Sequence, residues 1–332
     1  MTQSSTTAAP AHPAPTAQAS DPRLHSPALP LVLGCNTFGW TSDRAQSFAV
    51  LDAFTAAGGQ HVDTADSYSQ WIEGNSGGES ETILGEWFAA TGRRDEVFLA
   101  TKVGALDERK GLSRENVEAA VQDSLSRLQT DAIDLYYAHF DDETQTPEQL
   151  ARTFDGLVRA GAVRHIGISN LSPERQRAWI AAARAEGLTV PAAIQPHYSL
   201  AHRGDVEGED GYGALAREHG LAVFSYFSLA AGLLSGKYRT PDAFAGAPRA
   251  HFLGQFGEGQ AVELVETLVS IAEAVSARPA SVALAWLLAK GVTAPIASAR
   301  TPEQLDALIA AASVRLSEEQ IARLDAASAR FA

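Results

Sequence analysis

Residues 133–170, IDLYYAHFDDETQTPEQLARTFDGLVRAGAVRHIGISN, carry the plan of the whole chain. An apolar run from Ile133 to His139 suits a strand, and a polar loop follows it. Thr146-Pro147-Glu148-Gln149 then reads as a helix start, with a capping hydroxyl, Pro at the first helical position and Gln at the third. Gly161 offers the left-handed exit that ends such a helix. A second apolar run, His165 to Asn170, begins at once. A strand, a helix and a further strand in this order imply parallel pairing.

Outward from this segment the same unit recurs from Leu31 onward. Strands are predicted at Leu31 to Gly34, His61 to Ala65, Val97 to Lys102, Ile133 to His139, His165 to Asn170, Ala192 to Gln195, Leu221 to Phe227 and Val292 to Ser298. Glycines precede most of them, at Gly58, Gly92, Gly161, Gly187, Gly220 and Gly291. The helix-start pattern returns in Thr301-Pro302-Glu303-Gln304 and Ser317-Glu318-Glu319-Gln320, while Val117, Val121, Leu125 and Leu128 share one face at helical spacing. Strand starts lie roughly 30 residues apart until the seventh, then about 70, so an insertion is expected there. It comprises a Gly/Ala/Phe-rich segment around Phe244 to Phe256 and two helices from about Gly259 to Lys290.

Eight such units favour an α/β chain folded as a single (β/α)8 TIM barrel over residues 28–332, with extra helices between strands seven and eight. Spacing alone does not separate a closed barrel from an open doubly wound sheet. No G-x-G-x-x-G follows any strand, so a dinucleotide would bind without the Rossmann turn. Residues 1–27 are rich in Ala, Pro, Thr, Ser and Gln, lack the signal-peptide pattern, and are expected to form a disordered leader.

Composition narrows the function. The chain has 332 residues, with 26 Lys+Arg against 40 Asp+Glu and a net charge of −14, which disfavours nucleic acid as a partner. A single cysteine, Cys35, excludes an internal disulfide framework and any multi-cysteine zinc site. His197 and His202 lack the spacing of a zinc pair, so no metal is expected. No apolar stretch has the length of a membrane span, and a cytoplasmic location is expected, with the oligomeric state left open.

In a barrel the chemistry sits where strands end. Strand two ends in His61-Val62-Asp63-Thr64-Ala65-Asp66-Ser67-Tyr68, strand three in Thr101-Lys102 and strand four in Tyr136-Tyr137-Ala138-His139. Lys102 stands out because the chain has only four lysines (Lys102, Lys110, Lys237, Lys290) against 22 arginines. A compact ammonium closing an apolar strand suggests a specific partner. The cluster suits proton donation: Lys102 would stabilise the phenolate of Tyr68 and make that phenol more acidic, Asp63 would orient Lys102, and His139 would hold a substrate oxygen. It offers no obvious nucleophile and no pair of glycosidase carboxylates, so reduction of a carbonyl fits best. Taken singly, each residue has a plainer reading: His139 as a structural histidine, Tyr68 as a buried aromatic, Asp63 as a cap. Gly74-Asn75-Ser76-Gly77-Gly78 lacks a phosphate-loop ending and reads as part of a long loop. Trp40 and Trp71 are placed either in a substrate pocket or over the barrel rim.

Asp63, Tyr68, Lys102 and His139, with the run from His61 to Tyr68, resemble the aldo-keto reductase superfamily over about Leu31 to Ala326. Gly34 to Gly39, with Thr37 and Phe38, is similar to the family's first-strand motif, and Glu79-Ser80-Glu81 to Gly85 to its second helix start. The resemblance implies a catalytic set of Tyr68, Asp63, Lys102 and His139, and NADP(H) as cofactor. Asp63 would also touch the cofactor; Ser169, Asn170 and Gln195 would hold the nicotinamide carboxamide, and Tyr226 would stack on its ring. Ser228, Leu229, Ala230, Gly232, Leu234, Ser235 and Lys237 would follow the pyrophosphate. Ser298, Arg300 and Gln304 would meet the adenosine 2′-phosphate; Arg300 beside a helix N-terminus is also an anion site on physical grounds. Leu308 and Phe227-Ser228 depart from the family pattern, which bears on cofactor affinity and preference. The implied reaction is reversible reduction of an aldehyde or ketone to an alcohol, and the long loop that carries Trp71 hints at a substrate bulkier than a small aldehyde. Two other readings remain open: a cofactor-binding regulatory module resembling potassium-channel β subunits, and a barrel lyase or hydrolase.

Overall fold

In the computed structural model the described residues are 21–240 and 258–332, with side chains from 261 in the second stretch. The segment from Phe244 to Phe256 and the first twenty residues of the expected leader lie outside the described residues.

Eight parallel strands form one sheet: β1 Val32–Gly34, β2 His61–Asp63, β3 Phe98–Val103, β4 Ile133–Ala138, β5 Val163–Ser169, β6 Ala193–Gln195, β7 Ala222–Val223 and β8 Ile296–Ala297. The order is β7-β6-β5-β4-β3-β2-β1-β8. Its two ends meet: Thr293 N donates to Val223 O at 2.9 Å and Ile296 N to Ser225 O at 2.9 Å, which closes the barrel. Val223 O also receives Ala294 N, so this seam is irregular and its two strands are shorter than their apolar runs.

Strand periodicity decides which side chains face the barrel axis. Val32, Phe98, Ala100, Leu135, Tyr137, Ala193, Ala222, Phe224, Ala294 and Ile296 form an inner apolar cluster, while the residues between them pack outward against the helices. Continuing that alternation to the C-terminal end of each strand reaches Gly34, Asp63, Lys102, His139, Ser169, Gln195, Tyr226 and Ser298. One period-two rule thus delivers one inward residue per strand to a common rim.

The other end of the barrel has its own plug. Asp21 caps a short helix, Pro22–His25, by accepting from Arg23 N, and Leu24 is buried among the inner cluster. Arg23 pairs with Asp21 at 2.7 Å and lies over the Phe98 ring. Residues 21–27 are therefore not a disordered leader. Leu24 packs into the inner cluster that holds Phe98 and Phe224, a demand of the assembled barrel that composition does not display.

The helix starts are satisfied unequally. Thr146 and Ser317 form reciprocal capping boxes with Gln149 and Gln320. Thr301 caps no backbone amide; instead Gln304 Oε1 accepts Arg300 N at 2.9 Å. The two helices expected before strand eight are Glu258–Ala274 and Pro279–Ala289, the second buried along nearly its whole length. A Cβ on Gly85 would lie 2.1 Å from Arg127 O, so only glycine lets the helix Glu79–Thr91 approach the next one. No single helix among the described residues is long and apolar enough to cross a membrane.

Candidate active site

Lys102 is the hub of the rim. Its three ammonium protons meet three acceptors: Asp63 Oδ1 at 2.5 Å, Thr64 O at 2.7 Å and Tyr68 Oη at 2.8 Å. Because Tyr68 receives this bond, its own proton is free for another acceptor. Gln195 Nε2 donates to the second oxygen of Asp63 at 2.8 Å, so the carboxylate is fixed from both sides. Lys102 and Asp63 are both buried, and a buried ion pair of this kind is weak evidence for stability but holds its groups in place.

Electrostatics corrects one expectation. Burial raises the Tyr68 phenol and outweighs the opposing Lys102 charge, pushing its pKa up to about 12. The phenol is therefore not acidified on balance; Lys102 limits the rise. Burial also works against the Lys102 charge, but Asp63 and Tyr68 overcome it and its pKa moves upward. Burial, then Lys102, holds His139 well below the ordinary histidine range, so its ring is neutral. At neutral pH the site thus holds a fully protonated phenol, an ammonium and a neutral imidazole. The Tyr68 and His139 rings meet edge-on at 6.2 Å.

A second network adjoins the first. Ser169 Oγ donates to Gln195 O at 2.8 Å, Asn170 Nδ2 to His139 O at 2.8 Å, and Tyr226 OH to Asn170 Oδ1 at 2.8 Å. Ser169, Asn170, Gln195 and Tyr226 are therefore joined to one another and to the backbone of His139. On the β1 side, Ser298 Oγ donates to Asn36 Oδ1 at 2.5 Å, past Gly34, whose Cβ would lie 2.7 Å from that hydroxyl oxygen. Asn36 was not singled out in the sequence, although it lies inside the Gly34 to Gly39 motif.

The chain after β7 is strained. Phe227, Ala230 and Ala231 have φ of +55°, +47° and +55°, ahead of Gly232 at +95° and Gly236 at +84°. Each such non-glycine residue costs on the order of 1–3 kcal/mol, and such strain clusters at ligand clamps. Ala230 and Leu234 are buried and Leu229 is partly buried, which leaves their backbone as the main polar group toward a ligand. Ser228 and Ser235 donate to nearby carbonyls, Ser225 O and Gly232 O. Lys237 lies over the Tyr238 ring, and a Cβ on Gly232 would come no nearer than 3.6 Å to its ammonium. Arg300 is exposed beside the helix Pro302–Ile309 and has no acidic partner among the described residues. Bent backbone, a lysine and a free guanidinium along one flank fit a diphosphate and a further phosphate. Thr37 and Phe38 are buried under the first loop, and Leu308 packs into the core.

Above Tyr68 the mouth is aromatic. Trp40 and Trp71 meet edge-on at 5.6 Å, and Trp71 stands 6.3 Å from the Tyr68 ring. Phe140 stacks on His139 at 4.8 Å. Trp71 and Phe140 are each 50% exposed and Phe227 37%, unusual for such large rings in a folded chain. Phe140 lies one residue beyond the predicted strand Ile133 to His139, where no period marks it as part of the rim. Among the described residues no group of histidine, cysteine and acidic side chains has metal-ligand geometry.

The structure is thus a closed parallel barrel whose C-terminal rim gathers a tyrosine, a lysine, an aspartate and a histidine. The aldo/keto reductase family model matches residues 30–329. An uncharacterized oxidoreductase, YrpG, from Bacillus subtilis is 35% identical over 306 residues, covering 89% of this chain and 90% of its own. The aldo-keto reductase yakc [NADP(+)] of Schizosaccharomyces pombe is 33% identical, covering 86% of this chain and 82% of its own. The norsolorinic acid reductase stcV of Emericella nidulans is 32% identical, covering 96% and 84%. The chain belongs to the aldo/keto reductase family, and is an oxidoreductase of that family.

Proposed function

We propose that this protein is an NADPH-dependent reductase of an aldehyde or ketone with a flat, largely apolar body, and that Tyr68 gives the proton. The observation that carries this reading is the three-way bond of Lys102, which ties Asp63 and Tyr68 together while leaving the Tyr68 proton undirected. Bound NADPH supplies the hydride. Tyr68 protonates the oxygen as negative charge develops on it, and Lys102 stabilises the phenolate left behind. His139, neutral and edge-on to the Tyr68 ring, orients that oxygen by donating a hydrogen bond. Gln195 and Asp63 keep the ammonium in place.

Gly34, Thr37, Phe38, Ser169, Asn170, Gln195 and Tyr226 form the nicotinamide end of the cofactor site in this reading. The strained backbone from Ser228 to Ser235 with Lys237 takes the diphosphate, and Ser298, Arg300 and Gln304 take the adenosine phosphate. The preference for NADPH rests on the unpartnered Arg300 and on the yakc relative, whose name carries NADP(+). Trp40, Trp71 and Phe140 wall the substrate, which is why a flat apolar body is favoured over a small polar aldehyde. The test is NADPH oxidation by the purified protein against aryl ketones, quinones and short aliphatic aldehydes. Aryl ketones or quinones are expected to give the highest kcat/KM; a preference for short aliphatic aldehydes would refute the substrate class.

A further inference from the structure

We propose that His197 and His202 are positioning residues for the nicotinamide: a stacked pair of imidazoles that fixes the plane of Tyr226. This rests on the reading of Tyr226 as the surface that carries the ring. His197 follows β6, and its ring lies 5.2 Å from that of Tyr226 at 22°. The His202 ring lies 3.8 Å from His197 and within 4° of parallel. His197 is thus near-parallel to both neighbours, and the three rings form a column.

Both ends of the column are anchored. His202 Nε2 meets Asp205 Oδ2 at 2.9 Å, and its backbone exchanges two hydrogen bonds with Ser199, at 3.1 and 3.0 Å. Tyr226 N donates to Pro196 O at 3.0 Å, Tyr198 N to Tyr226 O at 3.3 Å, and the Tyr226 hydroxyl reaches Asn170 and through it the His139 backbone. Rotation of the Tyr226 ring costs either the hydroxyl bond to Asn170 or the stack on His197. A platform fixed in this way does not need to be ordered when the cofactor arrives, which favours binding.

The choice of imidazole has a consequence that phenyl would lack. His197 Nε2 is buried with no hydrogen-bond partner among the described residues. The titratable groups facing His197 are His202 and Asp205 on the same loop and Tyr226 after β7; Tyr212 and Tyr68 act on Tyr226 and not on His197. Burial and His202 hold His197 down to about 4, against Asp205, so the ring is neutral near pH 7. Acid adds a proton, and with it a charge, to the buried His197 ring, which packs 3.8 Å from a second imidazole. The column therefore loosens, and cofactor affinity falls, as the pH drops toward about 4.

The test measures dissociation constants for NADPH and NADH by quenching of protein fluorescence, from about pH 8 to about pH 4.5. NADH is included because it lacks the titrating 2′-phosphate. His197→Ala is expected to weaken both cofactors roughly 3- to 10-fold at neutral pH, the worth of one aromatic stack, with the KM for the carbonyl unchanged. His197→Phe, flat and unable to take a proton, should restore the affinity and lose the decline in acid. A wild-type affinity in His197→Ala, or the same acid decline in His197→Phe as in wild type, overturns the proposal. Tyr226→Leu separates the two readings: if it binds NADPH as tightly as wild type, the platform itself is misassigned and both fall.

Discussion

The two ends of the barrel treat polar groups in opposite ways. At the N-terminal end Asp134 is buried but accepts from Arg164 at 2.7 Å, Arg94 at 2.9 Å and Leu99 N at 2.9 Å. Burial holds His61 down to about 3, so it sits as a neutral ring between Phe98 and Phe224. Leu24 closes the opening. At the C-terminal end a tyrosine proton is undirected, Arg300 has no acidic partner among the described residues, five non-glycine residues (Ser69, Asn170, Phe227, Ala230 and Ala231) have positive φ, and large aromatics face solvent. Charge compensation and dense packing serve stability at one end; the other leaves bonding capacity unfilled, at the end where barrels of this kind bind their ligands. In the proposed function that separation lets the loops carry chemistry without weakening the core.

Lys102→Met puts the greatest load on this contrast. Turnover is expected to fall by about 10²- to 10⁴-fold, and unfolding by denaturant should show a loss of about 3–5 kcal/mol because Asp63 is left buried without its partner. A variant with wild-type turnover would mean that the rim network is only structural. Leu24→Ala probes the other end: a loss of about 2–5 kcal/mol, with kcat unchanged under conditions where the protein is folded. If kcat fell in step with stability, the two ends would be coupled rather than separate.

Asp66 lies between these extremes, in the rim motif but buried and outside the proton-donating set. Burial, with the Glu81 carboxylate adding to it, lifts its pKa from 3.8 to about 7, against Arg127 and the amides of Gly104 and Ser67. The folded state therefore binds this proton more tightly than the unfolded chain, and stability contributed by the group is lost as pH rises from about 4 to about 7. Asp66→Asn should raise Tm by a few degrees at about pH 8, with the gain shrinking toward about pH 4. A gain independent of pH would remove the carboxyl as its cause.

The smallest expected effect contrasts two identical stretches. Thr146→Ala should cost about 1 kcal/mol in denaturant unfolding because its hydroxyl caps a helix. Thr301→Ala should cost about a few tenths of a kcal/mol or less, since that hydroxyl caps no backbone amide. Equal losses would show that the capping geometry is the same at both sites.

Those two Thr-Pro-Glu-Gln stretches also mark how far the sequence can be read. Strand number, parallel order and helix-ending glycines follow from period and position along the chain, and the alternation of side chains carries Asp63, Lys102 and His139 to the rim; Tyr68 lies in the loop after β2, where no period places it. Closure does not follow, because the bonds from Thr293 and Ile296 to the β7 edge join parts of the chain about 70 residues apart. The Leu24 plug, the stack of His197 on Tyr226 and the rise of the Tyr68 pKa are likewise properties of the assembled interior. Burial sets the last of these, and a motif names a neighbour such as Lys102 without giving the desolvation that opposes it.

The proton-donating role of Tyr68 is tested most directly by Tyr68→Phe, with NADPH affinity and single-turnover NADPH oxidation measured side by side. The expected result is NADPH binding within about twofold of wild type and oxidation slowed by at least about 10²-fold. Oxidation at the wild-type rate with NADPH fully bound would contradict the account.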